Sequence, residues 1–283
     1  MNYDHAFHAG NHADVLKHLV LRALLDAIRR KTTPFFVLDT HAGQGVYQLQ
    51  DSRATRSGEA ALGVLRLIEA CANQAPQAKA LHAYLDAVKP WLAEDCYPGS
   101  PQLVVDALRA HDRLACCELQ PDVAQQLKAR FKRDRRVAVH VRDGYEAVNA
   151  LLPPTQKRGL VLIDPPYEAQ LAEFDHVLTA VRAGLTRWPH GIFALWYPIK
   201  RHRDLRPFLR AAAALPAKAA LVAEILLQPD DSPLRLNGSG MLVLNPPWQL
   251  DTALTAALPE LVDALAGDQG QWRLQWLREE AAG

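Results

Sequence analysis

Along the chain, short apolar runs alternate with segments whose apolar residues recur every three or four positions. Leu16, Leu19, Val20, Ala23, Leu24, Ala27 and Ile28 share one face at helical spacing, which predicts a helix starting near Asn11 or His12. Pro34 follows the basic stretch "RRKTTP", and no helix continues through it. Next comes "FFVLDTHAGQG", an apolar run, an acid and a glycine-bearing turn, which reads as a strand opening into a loop. "RLACCEL", "VAVHV", "GLVLI" and "GIFALWY" read as further buried strands. Helices are predicted between them, from Pro101 to about Ala110, around 121–133, after Gly144 and over 169–187. A last pair, "AALVAEILL" and "GMLVLN", reads as an antiparallel hairpin.

Residues 48–97 interrupt this alternation. "GEAALGVLRLIEACA" and "AKALHAYLDAVKPWLA" are helical in pattern and break at "NQAPQ", so this segment is expected to be a helical insertion subdomain within one domain spanning 1–283. Strands alternating with helices predict an α/β fold. It would be a doubly wound, mostly parallel, Rossmann-like sheet with a C-terminal antiparallel hairpin strand. Ligands of such sheets sit at the carboxyl ends of the strands. Asp39, Glu118, Asp143 and Asp164 all stand at such ends.

Composition narrows the picture only a little. The 283 residues are 49 % hydrophobic and 22 % charged, ordinary for a soluble globular chain. No apolar stretch approaches the roughly 20 residues needed to span a bilayer, and the polar start lacks the layout of a secretory signal, so no membrane partner and a cytoplasmic location are expected. Cys71, Cys96, Cys116 and Cys117 lack CxxC spacing and read as free thiols. The net charge of +1 announces no polyanionic partner, yet "KARFKRDRR" (128–136) and "KRHRDLR" (200–206) are basic runs that suit either a solvated helix face or phosphate contact. His5, His8, His12 and His18 crowd the N-terminus without an HExxH or acid-bearing ligand pattern, and no metal site is expected.

The strand ends carry the chemistry. A dinucleotide fingerprint needs a third glycine after Gly43 and Gly45, and Gln48 occupies its place, which argues against a nicotinamide enzyme. The turn still lets a cofactor approach the backbone. Glu118 could accept from both hydroxyls of a ribose, and Asp143, beside Gly144, from an adenine amine. Singly these read equally well as a turn and surface acids; at three consecutive strand ends they describe a pocket for S-adenosyl-L-methionine.

The next strand ends in "VLIDPPYE". An exocyclic amine is a poor nucleophile because its lone pair is delocalised into the ring. Asp164 can accept one N–H and a carbonyl near Pro165 the other, aiming that lone pair at a sulfonium methyl. The prolines would fix the carbonyl's direction, and Tyr167 would offer a face for the base to stack on. "NPPW" (245–248) has the same shape, lacks the acid and follows the hairpin strand; it reads as a structural strand terminator.

"YDHAFHAGNHADVLKH", "DTHAGQG", "YPGSP", "ELQP", "RDGYEA", "IDPPYE", "ALWYP" and "SGMLVLNPPW" together resemble the RlmJ family, bacterial methyltransferases acting on N6 of an adenine in 23S ribosomal RNA. The resemblance covers nearly the whole chain. It implies that Lys17, His18, His41 and Gly43 contact the cofactor and that Ser100, read as a helix N-cap before Pro101, presents amides to its carboxylate. Glu118 would take the ribose, Asp143 and Gly144 the adenine, and Asp164 would be catalytic and also contact the cofactor. Tyr3 and His5 would close over the target adenosine beside Pro165 and Tyr167. A monomer binding 23S ribosomal RNA is the expected form. The motif itself does not separate RNA from DNA, since adenine N6 is the same once the base leaves its stack. A DNA adenine methyltransferase, or a silent nucleic-acid binder of the same fold, is the alternative.

Overall fold

The computed structural model describes residues 8–50, 58–167, 170–229 and 236–280. Its centre is an eight-stranded sheet. Five strands run parallel: β1 (Phe35–Asp39), β4 (Arg113–Glu118), β5 (Val137–Val141), β6 (Arg158–Ile163) and β7 (Ile192–Ile199). Three antiparallel strands complete it: β8 (Ala220–Leu226), β9 (Gly238–Leu244) and β10 (Gln271–Arg278). The spatial order is β5-β4-β1-β6-β7-β9-β8-β10. Each strand read from the sequence is present, and the hairpin β8–β9 gains an outer neighbour, β10, that the sequence expectation did not include.

The order explains where a ligand goes. From β1 the chain steps outward through β4 to β5, then returns to the other side of β1 for β6 and β7. The crossovers diverge between β1 and β6, opening a crevice at their carboxyl ends. Asp39 ends β1, and Asp164 directly follows β6.

Helix α1 (His12–Arg29) packs against the sheet through Leu16, Leu19, Val20 and Leu24, all fully buried. Its cap is Asn11, whose side chain accepts from the Asp14 amide at 2.9 Å. The interrupting segment contains helices Glu59–Leu62, Val64–Asn73 and Lys79–Leu92, closed at the base by an antiparallel ribbon of β2 (Val46–Gln48) and β3 (Cys96–Pro98). Val64, Leu67, Leu81 and Tyr84 join α1 in one continuous core, so these helices pack together with the sheet. It also ties the loop before α1: Val64 N donates to Gly10 O at 2.8 Å, and Asn11 Nδ2 to Glu59 at 2.9 Å.

The strand terminator reading of "NPPW" agrees with the structure. Because β9 is antiparallel to β7, Leu244 pairs near β7's start, at the sheet end remote from Asp164. Asn245 adopts φ +51°, accepts from Lys218 N at 2.8 Å, and donates to Pro189 O and Gly191 O at 2.9 Å each. All four cysteines are free. No helix among the described residues is long and apolar enough to cross a membrane.

Candidate active site

Two cavities open at the carboxyl ends of the central strands and share a wall made by Lys17, Asp164 and Pro166. The larger encloses about 280 Å³ and reaches from His18 and Gly43 past Glu118 to Asp143 and Gly144. The smaller, about 180 Å³, lies between the loop before α1 and the end of β7, with Asn11, Tyr167, Trp196 and Lys200 among its walls.

The shared wall is held by charge. Lys17 is 4 % exposed; its ammonium donates to Asp14 Oδ1 at 2.7 Å and to Asp164 Oδ2. Burial works against that charge, but the two carboxylates outweigh it and hold the lysine above its ordinary range, so it stays protonated. Asp14 is fixed in turn, its Oδ2 accepting from Gly10 N at 3.0 Å. Lys17 therefore orients Asp164 from below while α1 supplies the platform.

The larger cavity is built on backbone that only glycine permits. Gly43 has φ +61°, and a Cβ there would lie 2.1 Å from the Tyr47 hydroxyl. Gly144 has no room for one either, with Thr40 O at 2.2 Å. Gly43 N donates to Glu118 Oε2 and Gln120 N to Oε1, at 3.0 and 2.8 Å, so backbone amides fix the carboxylate that ends β4. Asp143 caps the helix Gly144–Leu151, with Oδ1 accepting from the amides of Tyr145 and Glu146. His18 stacks on Tyr97 with ring centres 5.5 Å apart, its Nδ1 2.8 Å from the tyrosine hydroxyl. His41 sits edge-on to Tyr145 at 5.2 Å, and burial depresses its pKa despite the nearby carboxylates of Asp164, Asp143 and Glu173.

Two expectations change. Ser100 is not the cap of its helix: Gly99 holds that position, and Ser100 is the first residue of Ser100–Ala107. Its hydroxyl donates to Asp39 Oδ2 at 2.7 Å, tying the helix start to the end of β1. Tyr167 does not offer an open stacking face. At φ +50° it turns inward, is 5 % exposed, donates to Trp196 O at 2.8 Å, and packs edge-on against Phe174 and Trp196. It acts as a wedge that sets the loop after β6. Pro165 is buried, and Pro166 is the proline that lines both cavities. Tyr3 and His5 lie outside the described residues.

Sequence reasoning missed Asp14, Tyr145, Glu173 and His176. Asp14 stands three residues before Lys17, one helical turn away, a visible signal. Glu173 and His176 share a face of helix Gln170–Arg187 by the same spacing, and Glu173 accepts from the Tyr145 hydroxyl. Nothing in the chain pattern pointed that face at a cavity.

The residues fit adenosylmethionine. Gly43 and Gly144 line the larger cavity, a fixed carboxylate ends β4, and the buried Asp39, one hydrogen bond behind Ser100, has an Oδ1 without a hydrogen-bond partner of good geometry among the described residues. The model of the family described as "Ribosomal RNA large subunit methyltransferase D, RlmJ" matches residues 32–278. This chain belongs to the RlmJ family. Two relatives named "Ribosomal RNA large subunit methyltransferase J" fit the same family: one from Escherichia coli, 37 % identical, and one from Haemophilus influenzae, 36 % identical. Each alignment covers 99 % of this chain and 100 % of the relative. A crystal structure of a Legionella pneumophila protein superposes with a TM-score of 0.85 at 30 % identity, covering 95 % of this chain and 98 % of the other. RlmJ membership thus rests on a match along almost the whole length.

Proposed function

We propose that this chain transfers a methyl group from S-adenosyl-L-methionine to N6 of an adenine in 23S ribosomal RNA. The observation that carries the proposal is the position of Asp164 on the wall between two cavities, so that one carboxylate borders both. The larger cavity takes the cofactor. Glu118 accepts from its ribose hydroxyls, Asp143 and Gly144 border its adenine, and Lys17, His18, His41, Gly43 and Ser100 surround its methionine end. The smaller cavity takes the target adenine, with Pro165 and Tyr167 shaping the loop and Tyr3 and His5 coming from the N-terminal tail. When bound, the cofactor supplies an activated methyl group and its own leaving group, so no metal is required.

The chain's contribution is positioning and charge. Lys17 engages Oδ2 of Asp164, and we assign Oδ1 to the exocyclic N–H of the base. A backbone carbonyl of the Pro165–Pro166 pair takes the second N–H, and the amine's lone pair is freed to point at the methyl carbon. As positive charge develops on the nitrogen, the carboxylate stabilises it and receives the proton; prior deprotonation is unnecessary. The buried setting strengthens this interaction relative to water.

The test is tritium transfer from labelled S-adenosyl-L-methionine to 23S ribosomal RNA fragments, followed by nucleoside analysis. Wild type should label N6-methyladenosine. Asp164→Ala should lower the rate by at least about 10²–10³-fold, as expected for loss of a group aimed at developing charge, while cofactor binding persists by calorimetry. Wild-type transfer to duplex DNA but not to RNA would reject the substrate.

A further inference from the structure

The two basic runs, 128–136 and 200–206, have no part in the chemistry above, and the fold treats them differently. Helix Pro121–Phe131 begins beside the larger cavity, where Gln120 and Val123 line it. At roughly 1.5 Å per residue it carries its basic end on the order of 15 Å away, toward the start of β5. Part of that run is also spent internally. Arg136 pairs with Asp134 at 2.6 Å and donates to Leu108 O, and Arg130 lies 6.0 Å over the Trp91 ring.

The second run leaves the carboxyl end of β7, on the same side of the sheet as Asp164, because β6 and β7 are parallel. Lys200 lines the smaller cavity together with Asp164. Beyond it, the 3-10 turn His202–Leu205 and helix Arg206–Ala213 keep Arg201, Arg203, Arg206 and Arg210 exposed. One acid, Asp204, interrupts them, 3.6 Å from Arg203 and itself exposed, a contact worth little in water.

The backbone under this row is fixed. Asn237 N donates to Ile199 O at 2.9 Å and Asn237 Nδ2 to Lys200 O at 2.8 Å. His202 Nε2 lies 3.0 Å from Oε2 of Glu224, which is 2 % exposed and also accepts from the Tyr197 hydroxyl at 2.7 Å. Leu205 and Phe208 are buried beneath. Like charges held in a row repel one another, so the protein gains nothing from the arrangement by itself; a polyanion laid across it gains a preformed contact.

We infer that the strap 200–210 is the phosphate-contact surface of this protein, receiving the RNA backbone next to the adenosine that enters the smaller cavity. The inference rests on the function proposed above. A base inserted beside Lys200 brings its own chain past the cavity mouth, and the strap starts at that mouth.

The test compares two triple variants for binding a 23S ribosomal RNA fragment across a salt series. Lys200→Ala/Arg201→Ala/Arg203→Ala should weaken binding at least tenfold near 0.1 M salt and flatten the log–log salt slope by about two, since each lost phosphate contact removes roughly 0.7–0.9. Lys132→Ala/Arg133→Ala/Arg135→Ala should stay within about twofold of wild type and keep its slope. S-adenosylhomocysteine titration should be unchanged in both, reporting an intact fold. An unchanged slope in the first variant, or an equal loss in the second, overturns the inference. Wild-type protein that binds RNA with a strap-dependent slope but transfers no methyl group overturns the function and keeps the strap.

Discussion

Asp39 has no exposed surface, and the Ser100 hydroxyl donates to its Oδ2 at 2.7 Å. Burial, partly offset by that bond, holds its carboxyl up at about 6, against an ordinary 3.8. A raised carboxyl favours the folded chain while it carries its proton. Its contribution is complete below about pH 4 and is lost as pH rises through about 6. The shift corresponds to about 3 kcal/mol. Asp39→Asn keeps an oxygen for Ser100 and cannot ionise. In urea titrations without cofactor, it should gain on wild type by up to that amount between about pH 4 and pH 7. Parallel stability curves across this window would show that the carboxyl is not held as described. A charged Asp39 is also what a cationic amino group in the cavity would reward, so cofactor should narrow the gap above pH 6.

At the scale of elements, the start of helix Gly144–Leu151 rests directly on the loop after β1, with no room for a methyl group between Gly144 and Thr40 O. Gly144→Ala must push the helix outward, at a cost of about 1–3 kcal/mol. The same shift displaces Asp143 and should weaken S-adenosylhomocysteine binding more than it lowers Tm; equal cofactor affinity in calorimetry would refute the close seating. Elements of this kind were legible when their own residues carried the pattern. The strands ending in Asp39, Glu118 and Asp164 announced themselves by apolar runs meeting an acid, and the helices Val64–Asn73 and Lys79–Leu92 by their apolar spacing. β10 carried a different signal, Trp272, Leu274 and Trp276 alternating with polar residues as in a half-buried edge strand, which a search for continuous apolar runs passes over. The ribbon β2–β3 was hidden by length: each strand has three residues, and they meet from opposite ends of the insertion. Tyr167 was misread for a related reason. Sequence gives an aromatic ring after two prolines, but its inward turn at φ +50° depends on Trp196 and Phe174, distant in the chain.

Across the whole molecule, the sheet separates two similar motifs. "DPPY" closes a parallel strand at the end where the two cavities open, and "NPPW" closes an antiparallel one at the far end, where Trp248 is 78 % exposed. Trp248→Ala should therefore leave methyl transfer within about twofold of wild type. A larger fall in initial rate with normal stability would place function at both ends. The same geometry selects between the two basic runs, since only the one leaving β7 shares a side with Asp164.

Lys17, Asp164 and Pro166 form a party wall between two rooms. If the rooms hold the cofactor and the base as proposed, a tethered inhibitor occupying both would have to thread its linker past that one carboxylate.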